Sequence, residues 1–161
     1  MKGEKKMELK EGMKAPDFTL PDSQGNNITL SKFIGKNIIL YFYPKDHTKG
    51  CTLEATDFRD NYDKIKETDT VILGVSKDSI KSHVSFINKY NLPFVLLSDE
   101  SGEVCELYGV WKTKKMYGRE YKGIERTTFL IDKEGNISKK FPKVKVQGHI
   151  EEIMEQLKRN N

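Results

Sequence analysis

The chain has 161 residues, of which 36% are hydrophobic and 32% charged, and its formal net charge at pH 7 is +4. This composition is typical of one globular domain, residues 1–161, with its own hydrophobic core. The chain contains no apolar run near the ~20 residues of a membrane span, and its charged N-terminus argues against a secretory signal. Its dispersed lysines form no recognition motif, which argues against nucleic-acid binding.

The first predicted elements form a hairpin at the N-terminus. Residues 1–14 are dominated by charged side chains and predict a frayed leader. The runs 17–20 and 27–30 then flank the turn-rich segment 22–26, which is typical of two short paired strands. A short helical or turn segment is expected at 31–35.

From residue 38 onward, predicted strands and helices alternate. The predicted strands are 38–43, 70–75, 94–97, 124–131 and 137–141. The predicted helices are 51–67, 79–91 with Asp78 as N-cap, 100–108, and a C-terminal amphipathic helix through Leu157. This alternation predicts parallel strands with helical crossovers, closed by an antiparallel hairpin at 132–136. The expected fold is an α/β sandwich of the thioredoxin type, a central mixed sheet flanked by helices.

Segment 112–123 is the longest stretch without a pattern. We expect it to be a mobile, solvated loop. The alternative is a role in docking an acidic reductant.

Cys51 lies where a loop rich in proline and glycine meets a predicted helix. A helix N-terminus offers unsatisfied N–H groups and the positive end of the helix dipole. Both favour the thiolate, which is the nucleophilic form of cysteine. A buried packing cysteine is the alternative. The neighbouring Thr48, Lys49 and Gly50 favour an activated thiol.

The segment 44–51 resembles the active-site pattern Pro-x-x-x-Thr-x-x-Cys of the peroxiredoxins, which also follows a strand ending in Phe-Tyr-Pro. Further segments match the same family in the same order, namely 15–20, 97–100, 108–111 and 126–132. The details are similar to the bacterioferritin-comigratory, or peroxiredoxin Q, branch. The resemblance implies a thiol-specific peroxidase that reduces hydrogen peroxide and alkyl hydroperoxides through a sulfenic acid on Cys51.

The chemistry of that family implies roles for three more residues. Thr48 would offer its hydroxyl to the sulfur and the peroxide, and Pro44 would shield the sulfur without presenting an N–H. Arg126 would be the cation beside the thiolate, with Arg59 as its rival. Glu54 would either orient Arg126 or complement the helix dipole.

The sulfenic acid must be returned to the thiol. Many members of this branch carry a resolving cysteine five residues after the reactive one, but Thr56 occupies that position here. Cys105 is either a packing residue or the resolving cysteine, which would require the two Cα atoms to approach within about 7 Å. Otherwise thioredoxin, glutaredoxin or a small thiol would reduce Cys51 directly.

The cysteine content and the family branch also predict the compartment, the lack of a metal or cofactor, and the oligomeric state. Two cysteines do not form the framework of a small secreted protein, so the reducing cytoplasm is the expected compartment. They also fit no structural zinc spacing, and no cofactor or metal is expected. Resemblance to this branch implies a monomer.

Two other functions compete with the peroxidase. One is a redox sensor or holdase that uses the same cysteine. The other is a thioredoxin-like disulfide reductase, which needs Cys-x-x-Cys. Glu54 stands at the second cysteine position of that motif and disfavours it.

Overall fold

The computed structural model describes residues 8–159. The strands are β1 (Thr19–Pro21), β2 (Asn27–Thr29), β3 (Asn37–Phe42), β4 (Thr70–Ser76), β5 (Val95–Ser98), β6 (Trp111–Met116), β7 (Arg119–Ile124), β8 (Thr127–Ile131) and β9 (Ile137–Phe141). The helices are α1 (Lys49–Asp60), α2 (Tyr62–Lys66), α3 (Ile80–Tyr90), α4 (Glu103–Leu107) and α5 (His149–Arg159). None of the helices in this part of the chain is long and apolar enough to cross a membrane.

Five strands form the central sheet in the order β5-β4-β3-β8-β9. β3 and β5 both run parallel to β4, whereas β8 runs antiparallel to both β3 and β9. Every residue of β3 is buried, because helices or other segments cover both faces of the sheet. The predicted mixed sheet and the N-terminal hairpin, formed by β1 and β2, are therefore confirmed.

The side chains of β3 alternate between two hydrophobic clusters, one on each face of the sheet. Leu40 belongs to the cluster that also contains Cys105. Tyr41 belongs to the cluster that contains Cys51. The central sheet therefore lies between the two cysteines.

Several predicted boundaries differ from the structure. The single helix expected at 51–67 is divided at Asn61 into α1 and α2. Ser79, and not Asp78, is the N-cap of α3, since its side chain accepts a hydrogen bond from the Ser82 N–H at 3.1 Å. The strand expected at 124–131 is interrupted between β7 and β8, and this interruption contains Arg126.

The prediction of a mobile loop at 112–123 is wrong. These residues belong to a two-stranded hairpin, β6 with β7, which pairs with no other strand among residues 8–159. Its turn contains Tyr117 at φ 52° and Gly118 at φ 76°, the left-handed pair that tight hairpins require. Charged side chains occupy half of each strand and hide the alternation of apolar residues that normally identifies a strand.

The N-terminal segment also differs from the expected leader. Residues 1–7 lie outside the described part of the chain. Within 8–14, Leu9 is buried in the core, and the Gly12 N–H donates to the carbonyl of Ile137 at 2.7 Å. The described end of this segment is therefore packed against β9.

Candidate active site

Cys51 lies in the first turn of α1, directly after the loop that follows β3. Thr48 is the N-cap of this helix, and α1 begins at Lys49. The side chain of Cys51 is almost fully buried, with 2% of the residue exposed. The predicted position of the cysteine at a helix N-terminus is confirmed, so Cys51 lies at the positive end of the helix dipole.

The hydroxyl of Thr48 makes a hydrogen bond within the loop that precedes Cys51. The Thr48 hydroxyl donates to the carbonyl of Lys45 at 2.7 Å. Its oxygen keeps free lone pairs and can accept a hydrogen bond from a hydroperoxide O–H. Pro44 opens the same loop, is partly buried and has no N–H of its own.

Arg126 reaches Cys51 from the interruption between β7 and β8. Its Nη1 donates to Glu54 Oε1 at 2.6 Å, and the guanidinium also lies close enough to Cys51 to interact with it electrostatically. Burial opposes the charged guanidinium, but Glu54 and Cys51 outweigh that effect and raise the pKa of Arg126. The structure thus brings Arg126, Glu54 and Cys51 together.

Arg59, the rival cation, has other partners. Its Nη1 donates to the carbonyl of Tyr90 at 2.8 Å, and its Nε pairs with Asp60 at 3.0 Å. The first contact ties the end of α1 to the end of α3, and the second lies within α1. Arg59 therefore has a structural role away from the thiol.

Gly50 makes room for the guanidinium. A Cβ at this position would lie 3.1 Å from Arg126 Nη2, closer than ordinary van der Waals contact. We expect Gly50→Ala to displace Arg126 and to slow the oxidation of Cys51 by hydrogen peroxide about tenfold. Stopped-flow measurement of that oxidation tests the prediction. Gly123→Ala is the matched control, because its Cβ would come no nearer than 3.5 Å to another side chain.

Glu54 is buried with the guanidinium. Burial raises the pKa of Glu54 from its usual 4.5 to about 7, although Arg126 acts in the opposite direction. Oε1 accepts from Arg126, whereas Oε2 is buried and has no hydrogen-bond partner among residues 8–159. The ionised carboxylate is therefore costly in this position, and Arg126 is the one cation that pairs with it in the described part of the chain.

We expect Glu54→Gln to flatten the pH dependence of the free energy of unfolding between about pH 4.5 and pH 7. A carboxyl whose pKa is higher in the folded chain binds its proton more tightly there, so it stabilises the fold increasingly as the pH falls from about 7 towards 4.5. The pKa difference corresponds to about 3 kcal/mol over that window. Denaturant titrations of both proteins at several pH values measure it, and equal slopes would contradict the prediction.

A buried network behind the loop was not predicted from the sequence. The Asp46 carboxylate accepts hydrogen bonds from Tyr43 Oη at 2.6 Å, Ser82 Oγ at 2.8 Å and His83 Nδ1 at 2.7 Å. Burial opposes the ionisation of Asp46, but these three bonds outweigh it and lower its pKa. The Asp46 N–H also donates to Asp78 Oδ2 at 2.8 Å.

This network anchors the loop that carries Thr48 to the start of α3. The anchor matters because His47, next to Asp46, has the uncommon φ of 65°. The sequence contained one signal of it: His83 follows Ile80 by three positions and precedes Ile87 by four. A polar residue on the apolar face of a predicted helix needs a buried partner.

Cys105 lies in α4, on the other side of the sheet from Cys51, and is fully buried. Its N–H donates to Asp99 Oδ2 at 2.8 Å. Burial and the Asp99 carboxylate raise the pKa of the Cys105 thiol well above its usual range. The resolving role of Cys105 stays a prediction, and it would require both helices to move relative to the sheet.

Comparisons with known proteins agree with this arrangement. The model of the AhpC/TSA family matches residues 12–140. The peroxiredoxin Bcp of Bacillus subtilis is 52% identical over 152 residues, which cover 94% of this chain and 97% of that protein. The peroxiredoxin Bcp of Escherichia coli K12 is 43% identical over 150 residues, with 93% and 96% covered.

Solved structures lead to the same family. Peroxiredoxin Q of Xanthomonas campestris matches with a TM-score of 0.87 and 40% identity, over 92% of this chain and 97% of that one. The bacterioferritin comigratory protein of the same organism, solved in work on its alkyl peroxide reduction activity, matches with a TM-score of 0.87 and 39% identity, over 93% and 98%. These matches confirm the thioredoxin-like fold. The chain therefore belongs to the AhpC/TSA family and is a peroxiredoxin of the Bcp, or peroxiredoxin Q, branch, a thiol peroxidase that reduces peroxides.

Proposed function

We propose that this peroxiredoxin reduces hydrogen peroxide and alkyl hydroperoxides at Cys51, in a one-cysteine cycle that an external thiol completes. The observation that supports it most directly is the Arg126 guanidinium, which Glu54 holds at 2.6 Å and which interacts electrostatically with Cys51. The alkyl peroxide reduction activity of the Xanthomonas campestris relative supports the choice of substrate.

In the first step, the Cys51 thiolate attacks the terminal oxygen of the peroxide. A sulfur–oxygen bond forms, the O–O bond breaks, and the other oxygen leaves as hydroxide or alkoxide and takes up a proton. Arg126 stabilises the thiolate and the negative charge that grows on the leaving oxygen. Thr48 accepts the hydrogen bond of the peroxide O–H, because its own proton is bound by Lys45. Pro44 covers the sulfur from the side of the loop.

In the second step, an external thiol reduces the Cys51 sulfenic acid. Two features of the chain support an external donor. Thr56, at the position of the short-range resolving cysteine, bonds its hydroxyl to the carbonyl of Leu53 at 3.1 Å. Cys105 is buried across the sheet. Thioredoxin, glutaredoxin or a small thiol would serve as donor to a monomeric enzyme in the reducing cytoplasm.

The experiment that tests this proposal is an intact mass of the reduced protein after one equivalent of hydrogen peroxide, with a sulfenic-acid trap present. We expect one trap adduct, mapped to Cys51 by peptide mass spectrometry. A rapid Cys51–Cys105 disulfide would replace the one-cysteine cycle with a two-cysteine one. An unmodified protein would overturn the proposal.

A further inference from the structure

The β6–β7 hairpin has two chemically different faces. Its register pairs Trp111 with Ile124 at the base and Met116 with Arg119 at the tip. Residues paired across the strands share a face, and neighbours along a strand do not. One face, which we call the cationic face, carries three basic side chains and two large apolar ones: Lys112, Lys114, Met116, Arg119 and Tyr121.

The charge of the cationic face is only partly compensated. Lys112 lines a groove with Glu8, Glu11 and Glu125, and Lys114 Nζ donates to the carbonyl of Ile124 at 2.6 Å. Glu120 is the one acidic residue in 111–124, and it lies on the opposite face, paired with Lys115 at 3.8 Å. Within residues 8–159, no basic side chain of the cationic face makes a salt bridge. A second copy of the chain would bring the same positive charge to this face, whereas an acidic surface complements it.

Apolar side chains are exposed among these charges. Met116 is 56% exposed and Tyr121 is 44% exposed, and Tyr117 at the tip of the hairpin is 98% exposed. Methionine, tyrosine and arginine are enriched at protein–protein interfaces relative to the rest of the surface. A cationic face with exposed Met and Tyr thus fits an acidic protein better than a nucleic acid, which would need further phosphate contacts along a stripe.

The base of the hairpin packs in the cluster that contains Cys105, and the chain that leaves it leads to Arg126. Arg126 follows the end of β7 by two residues, or at most about 7 Å of extended chain, and it pairs with Glu54 and interacts electrostatically with Cys51. Leu53, two residues after Cys51, is a further exposed apolar side chain, with 49% exposure. A protein bound at the base of the cationic face would therefore lie near Arg126, the residue that faces Cys51.

We infer that the cationic face is the docking surface for an acidic protein dithiol that reduces the Cys51 sulfenic acid. The inference rests on the proposed function. One partner thiol attacks the Cys51 sulfur, forming a disulfide and releasing the oxygen as water. The second partner thiol then breaks that disulfide and releases the Cys51 thiol. Cys51 is reduced by two electrons, and the partner is oxidised to its own disulfide.

The test compares two electron donors with the same enzyme. An acidic thioredoxin, kept reduced by its reductase and NADPH, is the protein dithiol, and dithiothreitol is the small uncharged reference. We expect Lys112→Glu/Arg119→Glu to lower thioredoxin-supported peroxide turnover, relative to dithiothreitol-supported turnover, by about tenfold or more through a higher KM for thioredoxin. Lys64→Glu/Lys158→Glu makes the same change in net charge on exposed residues outside the hairpin and should leave that ratio within twofold.

Other results would count either against the docking surface or against the peroxidase function. An unchanged ratio in the hairpin variant, an equal loss in the control variant, or wild-type turnover with dithiothreitol but not with thioredoxin would each overturn the docking surface. Binding of a single-stranded oligonucleotide that the hairpin variant abolishes would assign the face to nucleic acid instead. Failure of wild-type turnover with both donors would count against the peroxidase function, and direct titration of Cys51→Ser with reduced thioredoxin would then decide the docking surface separately.

Discussion

Cys51→Ser is expected to lower peroxide turnover by more than about a thousandfold, because a serine hydroxyl is not ionised at neutral pH and cannot replace the thiolate nucleophile. The helix N-terminus and Arg126 would still face the hydroxyl, but they cannot supply the missing nucleophilicity. Peroxide consumption with dithiothreitol as donor measures the loss. Substantial residual turnover would show that the reaction takes place elsewhere in the chain.

Cys105→Ala is the matched control for this variant. Removing a fully buried sulfur costs about 1–2 kcal/mol of stability, but it should leave turnover with dithiothreitol within twofold of wild type. Thermal melting of both variants separates a loss of folding from a loss of chemistry. If Cys105→Ala turned over once and then stopped as a sulfenic acid, Cys105 would be the resolving residue. These two variants also separate the peroxidase from a redox sensor, which would form the same adduct but turn over slowly.

Arg126→Gln is expected to slow the oxidation of Cys51 by hydrogen peroxide about a hundredfold to a thousandfold. The variant removes the positive charge that stabilises both the thiolate and the leaving oxygen. It also leaves Glu54 buried without a cation, which destabilises the fold at neutral pH. Stopped-flow oxidation kinetics measure the rate, and a rate equal to that of wild type would contradict the role of Arg126.

Two further variants separate the chemical effect from the structural one. Glu54→Gln/Arg126→Gln replaces the buried ion pair with two neutral amides and should recover stability without recovering the rate. Arg59→Gln removes the rival guanidinium and should leave the rate unchanged, since Arg59 binds Tyr90 and Asp60 instead. Slow oxidation of an Arg59→Gln variant with normal thermal stability would show that Arg59 is the cation that stabilises the thiolate.

The sequence alone predicted the features that depend on neighbours along the chain. A continuous apolar run identified β3, and helical spacing after Cys51 placed that thiol at a helix N-terminus. Both are patterns among neighbouring residues, so no long-range contact is needed to recognise them. The role of Arg126 was predicted from the resemblance to a family. The structure shows how the guanidinium is held in place, by the 2.6 Å hydrogen bond to Glu54.

Only the tertiary structure decided which distant residues meet. It put the sheet between Cys51 and Cys105, because the pleat of β3 directs alternate side chains to opposite clusters. It joined Asp46 in the loop to His83 in α3, a pairing that no local pattern specifies. It also showed a hairpin at 111–124, where tight turn geometry and cross-strand pairing outweigh a composition typical of loops. Periodicity shows which side of an element is buried, but the folded chain alone determines what that side contacts.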